Sequence, residues 1–176
     1  YEDFVEGIKP VLDDEEESDV QYKLVNGIFK RMCLKASEDP DNDYAIFIDE
    51  INRGNIPAIF GELITLIEED KREIVSTILP YSKKAFTVPR NLFIYGTMNT
   101  ADRSVEALDV ALRRRFLFEE FEPEIELIDC KYNNDVVKKI VTAINQRIEI
   151  LLGKDYRIGH SYFMNGSVDS LEGLKT

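Results

Sequence analysis

Tyr44-Ala45-Ile46-Phe47-Ile48-Asp49-Glu50 is the stretch that decides the fold: five residues without a charge, then two acids with no spacer between them. A strand that is apolar on both faces belongs inside a parallel sheet, and the carboxyl edge of such a sheet is where open α/β folds place their chemistry. Before it, Asp39-Pro40-Asp41-Asn42-Asp43 is turn chemistry. After it, Asn55 is placed to cap a helix and Pro57 to sit in its first turn, with Ile56, Ile59, Phe60, Leu63, Ile64 and Ile67 at helical spacing. A second buried strand, Leu92-Phe93-Ile94-Tyr95-Gly96, runs into the polar segment 97–104. Between the helix and this strand, residues 71–91 alternate β-branched and polar residues around Pro80, Lys83 and Lys84, which predicts a hairpin or an extended insertion rather than a helix, with the two lysines on an exposed turn. The class is α/β with a parallel sheet.

The flanks are less regular. Residues 1–40 predict an acidic loop at 13–19 and then an amphipathic helix over 22–34, with Leu24, Ile28, Phe29 and Met32 on one side. Ser104 is expected to cap a short helix through Leu112, which ends in Arg113-Arg114-Arg115. Pro123 and its acidic neighbours read as a connection. Beyond it, Val136, Val137, Ile140, Val141, Ile144, Ile148, Leu151 and Leu152 form the clearest helical stripe in the chain, stopped by Gly153.

The 176 residues suffice for one good core, or for an incomplete core with a small subdomain. No apolar run is long enough to span a bilayer, and residues 1–10 lack the pattern of a secretory signal. Cys33 and Cys130 stand alone, in neither a CxxC pair nor a metal-ligand spacing, which fits a reducing interior; the expected location is the cytoplasm. A net charge of -12 is unfavourable for gripping a phosphate backbone, because such affinity comes mainly from Lys and Arg displacing counterions. Any DNA is therefore expected to be held by other domains or subunits.

Three constellations can carry chemistry. Asp49 and Glu50 are adjacent carboxylates on a rigid strand end, where one can hold a hydrated Mg²⁺ while the other orients or deprotonates a water; a solvated turn is the plainer alternative. Asn99 follows the second strand, and its neutral amide can hydrogen-bond a terminal phosphate or an attacking water, or simply form a turn. Arg113-Arg114-Arg115 can offset a helix dipole or present a planar cation to phosphate bound by a neighbouring subunit.

In this order the motifs resemble one family closely. Ile48-Asp49-Glu50-Ile51-Asn52-Arg53, Phe60-Gly61-Glu62-Leu63, Met98-Asn99-Thr100-Ala101-Asp102-Arg103-Ser104, Ala111-Leu112-Arg113-Arg114-Arg115-Phe116 and Arg157-Ile158-Gly159-His160-Ser161-Tyr162-Phe163 are similar to the AAA+ motor subunits of McrBC-type, modification-dependent restriction systems. The resemblance implies a partial AAA+ core of the P-loop NTPase class over 1–123, followed by the start of a helical lid over 124–176. It implies Mg²⁺ with GTP or ATP as cofactors, a homo-oligomeric ring, a hexamer in the family, and a McrC-like nuclease subunit as partner. It makes Asp49 and Glu50 the Walker B pair, with Asp49 toward the metal and Glu50 polarising the hydrolytic water, and Asn99 the sensor asparagine. Arg114 and Arg115 would supply an arginine finger to the adjacent protomer. Arg53, Asp102 and Arg103 would serve the subunit contact and the network around the γ-phosphate. His160, the only histidine, is expected to be a hydrogen-bonded structural residue of the lid.

The departure from the family pattern is that no G-x-x-x-x-G-K-[ST] occurs in these residues, so the loop that cradles the phosphates is expected upstream of Tyr1 and the 176 residues alone are expected to be inactive. Two other readings compete. One is a non-catalytic AAA-like assembly module, against which the combination of Glu50, Asn99 and the arginines weighs. The other is a metal-dependent nuclease using Asp49 and Glu50, which would need a further carboxylate and a nearby Lys.

Overall fold

The computed structural model describes residues 1–11, 20–99, 101 and 110–164, with the side chains of Val110 and Ala111 left aside. The chain divides into two compact units, the first spanning Tyr1–Leu117 and the second beginning at Phe118. Among the described residues no helix is long and apolar enough to cross a membrane.

The first unit is built on the two strands read from the sequence. β3 (Tyr44–Ile48) and β6 (Leu92–Gly96) pair in parallel, from Tyr44 opposite Leu92 to Ile48 opposite Gly96. Because side chains alternate across a strand, one face of the pair turns Tyr44, Ile46, Ile48, Leu92 and Ile94 toward the core. The other face carries Phe47, 75% exposed, stacked on Tyr95 at a ring separation of 5.1 Å. Burial on both faces, which the apolar run predicts, is thus found on one face only within these residues.

The helix α1 (Ile28–Glu38) covers the core face. Its buried residues Phe29, Cys33 and Ala36 recur three and four apart, which is the inward stripe of a helix. Phe4 stacks on Phe29 at 5.0 Å and meets Phe60 edge-on at 4.9 Å. Asn91 joins helix end to strand start: its Nδ2 donates toward the carbonyls of Ala36, Asp39 and Asn42 at 2.7–3.0 Å.

Two further expectations are corrected here. The helix predicted from residue 22 begins at Ile28, and residues 22–26 belong instead to β2 (Gln21–Asn26), antiparallel to β1 (Glu6–Val11). Non-local pairing overrides the local helical period there, and Gly27 marks the change because a Cβ on it would sit 2.3 Å from the backbone of Phe4. The helix that Asn55 caps, α2 (Ile56–Phe60), is also shorter than the stripe to Ile67 suggests. At Gly61 the backbone turns to φ +54°, and the remaining apolar residues continue as a 3₁₀ turn and further turns. The hairpin over 71–91 is present as β4 (Thr77–Ile78) paired with β5 (Ala85–Phe86), and Lys83 and Lys84 are exposed on its turn. Residues 102–109, including Ser104, lie outside the described residues, and with them most of the helix expected from Ser104 through Leu112; α3 spans Val110–Arg113.

The second unit centres on α4 (Asn134–Leu151), capped by Asn133, whose side-chain oxygen accepts from the Val136 amide at 3.3 Å. Val137 and Val141 are buried with Ile128 and Cys130, while Leu151 and Leu152 are mostly exposed, so the apolar stripe buries its first half. Asn145 fastens the following turn by exchanging two hydrogen bonds with Ile158, at 3.0 and 2.7 Å. Gly153, at φ +109°, ends the run as expected. His160 Nδ1 accepts a hydrogen bond from the Glu124 amide at 3.0 Å, a structural engagement.

Candidate functional site at the carboxyl edge of the parallel strands

The parallel pair ends at Ile48 and Gly96, and the two chains leaving it remain joined. The Thr97 amide donates to the Ile48 carbonyl at 3.0 Å, and the Thr97 carbonyl accepts from the Ile51 amide at 2.9 Å. Between these bonds lie Asp49 and Glu50. The Thr97 hydroxyl donates to Asp49 Oδ1 in a short contact and accepts from the Glu50 amide at 3.1 Å. Glu50 itself adopts left-handed backbone, φ 50° and ψ 46°, which for a side chain with a Cβ costs about 1 kcal/mol. Ile51, buried behind the turn, packs over Gly96, where any Cβ would lie 3.0 Å from two Ile51 carbons. The glycine therefore lets the acid pair's anchor close onto the sheet.

Arg53 lies one helical turn from Glu50 and makes an ion pair with it, Nε to Oε2 at 3.0 Å, with both side chains about half exposed. Such a pair contributes less than about 1 kcal/mol and can exchange partners readily. Asn99 follows two residues after Thr97; its Oδ1 accepts from the Ala101 amide at 3.0 Å, which leaves the amide NH₂ as its remaining donor group. Asp102 and Arg103 lie outside the described residues.

The arginines at the end of α3 differ from one another. Arg115 Nη2 is 2.6 Å from Glu68 Oε1, and both side chains are largely buried. Arg114 is exposed and among the described residues makes no ion pair.

The donor set is sparse and made of hard oxygens. Among the described residues no three His, Cys, Asp or Glu side chains gather as a cage. What Asp49 offers is an exposed hard oxygen beside a hydroxyl, suited to Mg²⁺ that keeps its waters and takes phosphate oxygens as further ligands.

Sequence reasoning named Asp49, Glu50 and Arg53, and the structure places all three on one turn. It passed over Thr97. Its signal was the register: with Ile48 opposite Gly96, the next residues in line are Asp49 and Thr97. It also passed over Glu6 and Lys30, a buried pair whose residues are 24 apart and carry no local pattern.

Comparison with known proteins gives matches over almost the whole chain. Residues 2–116 match the AAA domain (dynein-related subfamily), and residues 136–176 match the family described as McrB, alpha-helical lid domain. The Type IV methyl-directed restriction enzyme EcoKMcrB subunit of Escherichia coli (strain K12) is 41% identical, over 96% of this chain and 39% of that protein. The Type II restriction enzyme BsuMI component YdiS of Bacillus subtilis (strain 168) is 30% identical, over 70% of this chain and 38% of that protein. The chain thus spans about two fifths of the length of these relatives.

Proposed function

The chain belongs to the AAA domain family, with a McrB-type lid, and from that premise we propose that it is part of the nucleotide-hydrolysing motor subunit of a McrB-like restriction system. The observation that carries the reading is the exposed Asp49–Glu50 turn, mounted on the edge of two parallel strands and fixed from the second strand by Thr97. The activity is proposed for the whole protein, since none of these 176 residues forms a G-x-x-x-x-G-K-[ST] loop.

On this reading the reaction is attack of water on the γ-phosphorus of GTP or ATP. The new P–O bond forms as the bond to the β-phosphate oxygen breaks, and the products are the diphosphate and phosphate. Bound Mg²⁺ supplies charge neutralisation on the phosphate oxygens. Asp49 would help hold that metal, hydrated, through the oxygen that Thr97 leaves free. Glu50 accepts the proton that the attacking water loses, once its carboxylate turns from Arg53 toward that water. Asn99 donates from its amide to the terminal phosphate or to the water without competing for the proton.

Arg114 is the arginine proposed to reach a neighbouring protomer, because Glu68 already holds Arg115 inside its own unit. Such a role requires an assembly in which one protomer's arginine meets the next protomer's nucleotide, and a closed ring satisfies that for every site. Methylated DNA, and a nuclease subunit driven by turnover, are the proposed substrate and partner. With a net charge of -12, these residues leave DNA contact to other parts of the system.

The test is complementation between protomers of the whole protein. Glu50→Gln protomers and Arg114→Ala protomers should each hydrolyse GTP and ATP poorly. Mixed, they should recover part of the turnover, because some interfaces then join an intact Glu50 to an intact Arg114. No recovery on mixing would remove the trans role of Arg114, and normal hydrolysis by Glu50→Gln alone would remove the hydrolytic reading of the turn. The better nucleotide in the same assay identifies the fuel.

A further inference from the structure

We propose that Thr97 is a positioning residue for the acid pair, its one hydroxyl fixing the Asp49 carboxylate and the Glu50 backbone at the same time. The inference rests on the reading of Asp49 and Glu50 given above.

A hydroxyl has one hydrogen and two lone pairs. Thr97 gives its hydrogen to Asp49 Oδ1 and takes the Glu50 amide hydrogen at 3.1 Å. The first bond occupies one oxygen of Asp49 and sets the rotation of the carboxylate, so that the second oxygen is the one left for a hydrated cation. The second bond helps hold Glu50 in its left-handed conformation, φ 50°, and so sets the direction in which the Glu50 side chain leaves the turn. All of these groups are exposed, so water competes with each bond, and their value is in geometry rather than in stability.

The backbone makes this testable. Thr97 N and O bond to Ile48 and Ile51 whatever the side chain is. Thr97→Val keeps the shape and those two bonds and removes only the hydroxyl; Thr97→Ser keeps the hydroxyl and removes only a methyl. Loss of a group that orients a metal ligand typically costs about 10- to 100-fold in metal affinity or activity.

The experiment uses the whole protein in four forms: unaltered, Thr97→Val, Thr97→Ser and Glu50→Gln. Mn²⁺ binding is followed by electron paramagnetic resonance with a non-hydrolysable nucleotide analogue present, and kcat and KM are measured with Mg²⁺. Thr97→Val should weaken Mn²⁺ binding about 10-fold and lower kcat by a similar factor, with KM for nucleotide within about two-fold and an unchanged thermal midpoint. Thr97→Ser should restore both readouts. Mn²⁺ affinity in Thr97→Val equal to that of the unaltered protein overturns the inference, as does a Ser variant as poor as the Val variant, which would assign the effect to packing of the methyl group. Normal turnover in Glu50→Gln strikes at the parent reading instead, and the Val against Ser comparison of Mn²⁺ binding still decides the role of Thr97.

Discussion

Glu6 and Glu50 are both glutamates paired with a cation, and they sit in opposite surroundings. Glu6 is fully buried: Lys30 Nζ lies 2.6 Å from Oε2, and the amides of Tyr81 and Ser82 donate to Oε1 at 3.0 and 2.9 Å. Those contacts tie the base of the β1–β2 hairpin, helix α1 and the β4–β5 turn into one joint. Burial by itself would raise the Glu6 carboxyl, but Lys30 and the two residues of the turn outweigh it and pull it down to about 2. Glu50 is exposed, on strained backbone, with one half-exposed arginine beside it. A buried carboxylate held by three hydrogen bonds holds a fold together and is closed to a substrate. One with a single weak partner stabilises little and can turn to a water.

The contrast breaks first at the buried pair. Lys30→Met leaves the Glu6 charge buried without its ammonium, and should destabilise the fold by about 3–5 kcal/mol in urea unfolding. The kcat of the molecules that remain folded should be unchanged. The same charge predicts a pH effect. Because the folded Glu6 is held below its ordinary value of 4.5, its contribution is complete above that pH and is lost as pH falls from 4.5 toward about 2. Unfolding free energy followed across that window should fall by roughly 3 kcal/mol from this group, and Glu6→Gln should flatten the curve. At the end of α3 the expected effect is smaller: Arg115→Ala leaves the largely buried Glu68 carboxylate without its cation and should cost about 2 kcal/mol, while Arg114→Ala leaves the thermal midpoint where it was. Arg53→Ala is also expected to act weakly, loss of its half-exposed pair with Glu50 shifting stability by about 0.5 kcal/mol in thermal unfolding.

The sequence was readable where local pattern and fold agree. Residues 44–50 and 92–96 announce buried strands followed by polar edges, and both strands are found within the residues named. The site's acids were legible for the same reason, since a strand that stops abruptly in two carboxylates is a local event. The β1–β2 hairpin was not. Its strands are joined by residue pairs such as Ile8 with Leu24, and Leu24 also satisfies a helical period with Ile28, so local spacing pointed the wrong way. Thr97 and the Glu6–Lys30 pair were hidden for a related reason: each matters through a partner 24 or more residues away, and only the fold brings them together. Arg114 and Arg115, adjacent and chemically identical, could not be separated until Glu68 was seen to hold one of them.

The central claim is that the exposed turn does chemistry while the buried joint holds the fold. It is tested most directly by measuring nucleotide hydrolysis and thermal unfolding on the same sample of the whole protein carrying Glu50→Gln. The account predicts turnover reduced by about 10²- to 10⁴-fold at an unchanged thermal midpoint. Turnover close to that of the unaltered protein, or a large fall in the midpoint, would contradict it.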